Sequence, residues 1–321
     1  MSLIMRILLI TPAPAGSRSG NRATATRWAA RLRELGHRVS IDVDYGDQAA
    51  DLMIALHAWR CADAVQRFRR REPHKPLVVA ITGTDAYRFI HSHRSTTLRS
   101  IELADQLVGL HDLIADALPA DQRSKMNVIY QSAQPVGQRE PYRRYFHVAV
   151  LGHLRDEKDP LRPALAAALL PAASRIQIHQ YGKAHTIRWA ERAQREMVSN
   201  RRYTWHGEVA HHQVRKVYRR TQLLVLPSRM EGGANVVSEA VVAGVPVVAS
   251  GIDGSVGLLG RDYPGYYPVG DTQALADLMR RTETDEAFYL ELQRCCIGRQ
   301  TMFSVERERE GWRQVLAKLA G

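Results

Sequence analysis

Two carboxylates stand in the stretch LLVLPSRMEGGANVVSEAVVAGVPVVAS with seven residues between them, Glu231 and Glu239. Gly232, Gly233 and Ala234 follow the first and lead into Asn235 and Val236. Glycine lets a turn approach a ligand closely. The first amides of a helix have no intrahelical partner, so a turn entering a helix suits an anion. A carboxylate two turns further on can accept hydrogen bonds from ribose hydroxyls. A second candidate group lies in GHLRDEKDP, with His153, Arg155 and Lys158. A third lies in TPAPAGSRSGNR, with Ser17, Arg18, Ser19, Gly20, Asn21 and Arg22. Small residues there let N–H groups converge on an anion, and the arginines can grip a phosphate bidentately. His57 in LHAWR and the pair Thr84 and Asp85 in TGTDAYR complete the set. A histidine at such a place can bind a hydroxyl or move a proton. Asp85 has a second reading, as cap of the helix behind it.

The elements that position these groups follow from the apolar pattern. Residues 223–226 form a short buried strand, Asn235 caps a helix with Val236, Val237, Ala240 and Val241 on its buried side, and 245–249 is the next strand. The chain opens the same way: a strand at 3–10, a Gly/Pro-rich loop, a helix near 22–35 and a strand at 39–43. Further strands are expected at 51–56, 77–81, 106–110 and 127–130, then at 147–151, 176–179 and 203–206, with helices between them. Strand–helix alternation predicts parallel α/β sheets. Residues 131–145 have no periodicity and two prolines, which marks a linker between two domains. The predicted organisation is an N-terminal Rossmann-like domain over 1–140, rejoined by a last helix at about 305–321, and a second Rossmann-like domain over 141–304. Candidate groups at strand ends sit where open α/β sheets bind ligands. The first loop is not G-x-G-x-x-G, so no dinucleotide cofactor is implied.

The Glu-x7-Glu stretch resembles the nucleotide-sugar site of retaining-type GT-B glycosyltransferases. The resemblance implies an α/β fold of two Rossmann-like domains facing across a cleft. It implies that Glu231 faces the donor sugar, that Glu239 binds ribose, and that Gly232, Gly233, Ala234, Asn235 and Val236 line the sugar and phosphates. In the strand-end segment of that family an arginine and, five residues later, a lysine face the diphosphate. Lys158 matches the lysine, His153 stands at the arginine position, and Arg155 can supply the charge two residues on. PAPAGSRSGNR, ITGTDAYR, LGHLRDEKDP and EGGANVVSEA, in this order, further resemble the selenosugar synthases of selenoneine biosynthesis. That resemblance implies UDP-N-acetylglucosamine or UDP-glucose as donor, selenophosphate as acceptor, and a 1-selenosugar, UDP and phosphate as products. It places the acceptor's phosphate at Ser17–Arg22; beside Glu231, the strand-end positions His57 and Asp85 are the catalytic candidates and Thr84 a further acceptor-binding one.

Composition narrows the classes. Forty-five per cent hydrophobic residues in 321 suffices for two cores. No apolar run reaches the roughly 18–20 residues of a membrane span, and the start reads as a strand without a cleavage site. Cys61, Cys295 and Cys296 offer neither a disulfide framework nor C-x2-C spacing. These features lead to the expectation of a cytoplasmic enzyme with no metal and no cofactor beyond the UDP-sugar. The charge of +12 is spread over both halves with no basic-aromatic motif, which disfavours a nucleic-acid binder. A transferase with a hydroxyl acceptor is the nearer alternative. The sequence leaves the oligomeric state open.

Overall fold

The computed structural model describes residues 4–17 and 19–320. The chain divides into two compact units, one running to Ser132 and resuming at Met302, the other spanning Ala133–Thr301.

The first unit holds a parallel sheet of β1 (Arg6–Ile10), β2 (Arg38–Asp42), β3 (Leu52–Ala55), β4 (Leu77–Ala80), β5 (Gln106–Gly109) and β6 (Met126–Val128), in the order β2-β1-β3-β4-β5-β6. Its helices are α1 (Gly20–Glu34), α2 (Ala62–Arg71), the single turn α3 (Ile90–Ser92) and α4 (Arg94–Leu103). Thr24, Ala25, Trp28, Ala29 and Leu32 form the buried stripe of α1, the spacing of a helix with one apolar face. The closing helix, Val305–Ala320, lays Trp312 edge-on against Trp28 at 4.8 Å. Arg27 Nε also reaches the buried Glu308 of that helix at 2.9 Å. One segment escapes the sequence pattern. Asp85–Phe89 forms a π-helical turn directly before α3.

The second unit holds β7 (Phe146–Leu151), β8 (Ile176–Tyr181), β9 (Tyr203–Trp205), β10 (Leu223–Leu226), β11 (Val247–Ser250) and β12 (Tyr266–Tyr267), all parallel, in the order β12-β11-β10-β7-β8-β9. Its helices are α5 (Arg162–Ala168), α6 (Ile187–Ser199), α7 (His211–Arg220), α8 (Asn235–Val242), α9 (Asp253–Leu259), α10 (Thr272–Thr284) and α11 (Glu286–Gly298). β10 and β11 are buried throughout, as strands covered on both faces must be. This is the doubly wound Rossmann order.

Residues 133–140 read from sequence as part of the first domain, but their bonds go to the second unit. Arg215 donates to the Pro135 carbonyl at 2.6 Å, and the Glu140 amide donates to the Arg219 carbonyl at 2.8 Å. Just before them, Gln131 accepts from Thr24 at 2.8 Å within the first unit. Asn235 is a second correction. It is the first helical residue of α8, and Ala234 occupies the cap without any side-chain bond.

A histidine stack lies on β7, β8 and the end of β9. Ring centroids are 4.4 Å apart for His147 and His179 and 5.2 Å for His179 and His206. Burial first, then the neighbouring imidazoles, lower His147 to about 3, and burial, then His206, lowers His179 to about 4, from the ordinary 6.5. As pH falls below about 6.5 the unfolded chain therefore takes up protons that the folded unit refuses. Stability from these groups is complete above that pH and is lost as pH falls toward 3–4. Thermal unfolding at stepped pH is expected to show this slope, flattened in His147→Phe. An identical slope in the variant contradicts the assignment.

Candidate functional site

In each sheet the strand order reverses at one point, and the loops leaving the two strands there enclose a crevice at their carboxyl ends. In the second unit those strands are β7 and β10. The loop after β7 carries His153, Arg155 and Lys158, and the loop after β10 carries Ser228 and Glu231. The two loops join. The Arg229 amide donates to the Glu157 carbonyl at 2.8 Å, and Lys158 Nζ makes a direct ion pair with Glu231 Oε1. Ser228 Oγ donates to the same oxygen at 2.6 Å. Glu231 is 8% exposed. The sequence thus placed Lys158 and Glu231 in one site, and the structure makes them partners.

Local backbone explains the shape of this corner. Gly233 has φ +128°, a conformation open to glycine at little cost. Gly254, at the start of α9, lies so close to the Glu231 backbone that a Cβ there would sit 2.3 Å from the Glu231 carbonyl oxygen. Neither Ser228 nor Gly254 stood out in the sequence; each sits just past a strand end, which is the only signal they carry.

Glu239 projects from α8 and accepts from the Tyr218 hydroxyl at 3.1 Å, a hydroxyl that also lies 2.9 Å from the Val236 carbonyl. Burial first, then Glu239, push the Tyr218 phenol well above its ordinary value, so it remains a neutral donor. Tyr218 was missed because nothing local separates it from a core tyrosine. At the head of α8 the amides have no capping side chain, and Asn235 Oδ1 is buried without a partner among the described residues. This corner can receive an anion and hydroxyl groups.

His153 accepts from the Lys183 amide at 3.2 Å. Burial, then His185, lowers its pKa, so it contributes no cation at neutral pH. Arg155 lies 3.9 Å from Glu157. Cationic charge in this loop therefore rests on Lys158 and Arg155. Among the described residues, no group of three or more His, Cys, Asp or Glu could hold a metal ion.

In the first unit the reversal falls between β1 and β3. The loop after β1 is held by its own serines. The Ser19 amide donates to Ser17 Oγ at 3.2 Å, and Ser19 Oγ caps α1 by accepting from the Arg22 amide at 3.4 Å. Gly20 and Asn21 open the helix. Arg18 lies outside the described residues. After β3 comes His57, buried, with φ +154°, a strained backbone for a non-glycine residue. Its Nδ1 is 2.6 Å from Asp85 Oδ1 and its Nε2 is 3.0 Å from Thr84 Oγ1. Asp85 also accepts from the amides of Ala58, Trp59 and Thr82 at 3.1, 3.0 and 3.0 Å and from the Thr82 hydroxyl at 2.9 Å. The carboxylate therefore pins the turn after β3 to the turn after β4, rather than capping a helix behind it.

Residues 145–285 match the family model of glycosyl transferases group 1. That match covers most of the second unit. An 80-residue stretch is 36% identical to the teichuronic acid biosynthesis glycosyltransferase TuaC of Bacillus subtilis, covering 25% of this chain and 21% of that protein. The chain thus spans about a fifth of the curated relative it matches. Among solved structures, HepE of Anabaena in complex with UDP matches with a TM-score of 0.77 at 15% identity, over 98% of this chain and 100% of that one. Sucrose-phosphate synthase of Thermosynechococcus elongatus matches at 0.76 and 17%, over 98% and 99%. These likenesses show the fold: two parallel-sheet Rossmann-like domains of the GT-B class.

Proposed function

We propose that the protein is a glycosyltransferase that takes its sugar from a UDP-sugar, with the donor in the crevice of the second unit. The observation that carries this reading is the Lys158–Glu231 pair across the β7/β10 reversal, with Glu239 presented from α8. Lys158, Arg155 and the amides of Gly232, Gly233 and Ala234 would hold the diphosphate and stabilise it as it leaves. Glu231 would face the sugar and Glu239 the ribose. HepE, solved with UDP and with UDP-glucose, supports a uridine nucleotide at this fold.

The finer reading is a selenosugar synthase that uses UDP-N-acetylglucosamine or UDP-glucose. Selenium of selenophosphate attacks the anomeric carbon, a C–Se bond forms and the C–O bond to UDP breaks. Four segments distributed along the chain support it by resemblance. Selenium in selenophosphate is already nucleophilic, so the site needs mainly to position two anions, and positioning alone supplies much of a rate. Ser17, Arg18, Ser19, Gly20, Asn21 and Arg22 would hold the acceptor's phosphate beside Thr84. The hydroxyl-acceptor alternative keeps the same donor site and is favoured by the TuaC match.

The donor half is tested by Glu239→Ala. A charge-assisted bond to a ribose hydroxyl is worth about 1.5–3 kcal/mol, so UDP is expected to bind about ten- to 150-fold more weakly. Calorimetric titration with UDP measures it, and unchanged affinity removes Glu239 from the nucleotide site.

A further inference from the structure

We propose that Asp85, His57 and Thr84 form a base-activated hydroxyl that removes the phosphoryl group from selenium. The inference rests on the selenophosphate reading and supplies a step that reading leaves without a residue.

Geometry carries it. We place the imidazole proton on Nδ1, because its 2.6 Å contact with Asp85 Oδ1 is shorter than the 3.2 Å approach of the Arg60 amide, a donor that competes for the same nitrogen. Nε2 is then a proton acceptor, and the Thr84 hydroxyl lies 3.0 Å from it. A carboxylate on one imidazole nitrogen and a hydroxyl on the other constitute the arrangement that activates a hydroxyl nucleophile. His57 and Asp85 are both 1% exposed, so neither can meet a substrate. Thr84 is half-buried and is the reachable end of the chain. Phe89, on which Trp59 stacks at 4.1 Å, packs beside the imidazole with centroids 5.7 Å apart. The remaining Asp85 bonds fix the carboxylate, and the His57 backbone stands at φ +154°. A histidine retained at a strained position is a common mark of a working site.

After sugar transfer, Thr84 Oγ attacks the phosphorus of the sugar–selenium–phosphate and gives its proton to His57 Nε2. The O–P bond forms, the P–Se bond breaks, and selenium leaves with the electron pair as a selenolate. Water then attacks the phosphothreonine phosphorus. His57 returns its proton to the departing Thr84 oxygen, and inorganic phosphate is released. Thr84 is the catalytic residue here, while His57 and Asp85 act through it.

The full-length protein is mixed with selenophosphate and UDP-N-acetylglucosamine or UDP-glucose and quenched in acid. Peptide mass spectrometry is expected to find phosphate on Thr84, on the serine of Thr84→Ser, and at least about 100-fold less in His57→Asn, the scale of a lost general base. In Thr84→Val the ratio of phosphate-bearing to free selenosugar is expected to rise. A merely structural Thr84 predicts no phosphopeptide and an unchanged product ratio in Thr84→Val, and that result overturns the proposal. The acceptor reading fails separately, when wild type yields neither selenium product, and this step falls with it.

Discussion

Lys158→Ala is expected to lower kcat/KM by about 100- to 1000-fold, the scale of losing one preorganised group that stabilises a developing negative charge. Its ammonium is the cation nearest to Glu231, and in the proposed complex it faces the diphosphate as the C–O bond breaks. The same substitution removes the counter-charge of a carboxylate that is 8% exposed, leaving it with only the Ser228 hydroxyl among the bonds described above. A lower Tm therefore accompanies the loss of rate, because a buried charge without a partner is costly. The double variant Lys158→Ala/Glu231→Gln separates the two effects. Removing the stranded charge is expected to return most of the Tm and none of the activity. Recovery of activity in the double variant would mean that Lys158 serves only the local fold.

Glu231→Gln is expected to reduce kcat by about 100-fold while UDP affinity stays level or improves. The amide oxygen can still accept from Ser228, so the corner keeps its shape. The charge that would offset positive character developing at the anomeric carbon is gone. Lys158 loses its protein partner and is freer to meet a diphosphate. Steady-state kinetics with saturating donor, paired with a UDP titration, checks both halves. Weak UDP binding with normal turnover would show that the roles of Glu231 and Glu239 are exchanged.

The sequence was informative wherever a pattern was local. The run from 223 to 250 specified β10, the turn, α8 and β11, because apolar blocks bounded by proline and glycine leave few alternatives. Strand–helix alternation likewise gave two parallel sheets, with edges uncertain by a residue or two. Long-range pairing was not visible. Lys158 and Glu231 are separated by 73 positions, and His57 and Asp85 by 28; residue type suggested a shared neighbourhood in each case but not a bond. Tyr218 reads as core until α8 sets Glu239 against its hydroxyl. Gly254 matters only through its approach to the Glu231 backbone. β12 is two residues long, too short for any periodicity. The cap of α8 was misread for a physical reason: Asn235 is a favoured cap, yet its own backbone is already helical, and the extended cap position falls one residue earlier, at Ala234.

The most direct test of the account is product analysis by mass spectrometry after incubating the protein with selenophosphate and, separately, UDP-N-acetylglucosamine and UDP-glucose. Stoichiometric release of UDP and a sugar bearing selenium at C1 are expected, with both lost together in Glu231→Gln. UDP released with no selenium–carbon product, or sugar transferred to a hydroxyl acceptor in preference, would contradict it.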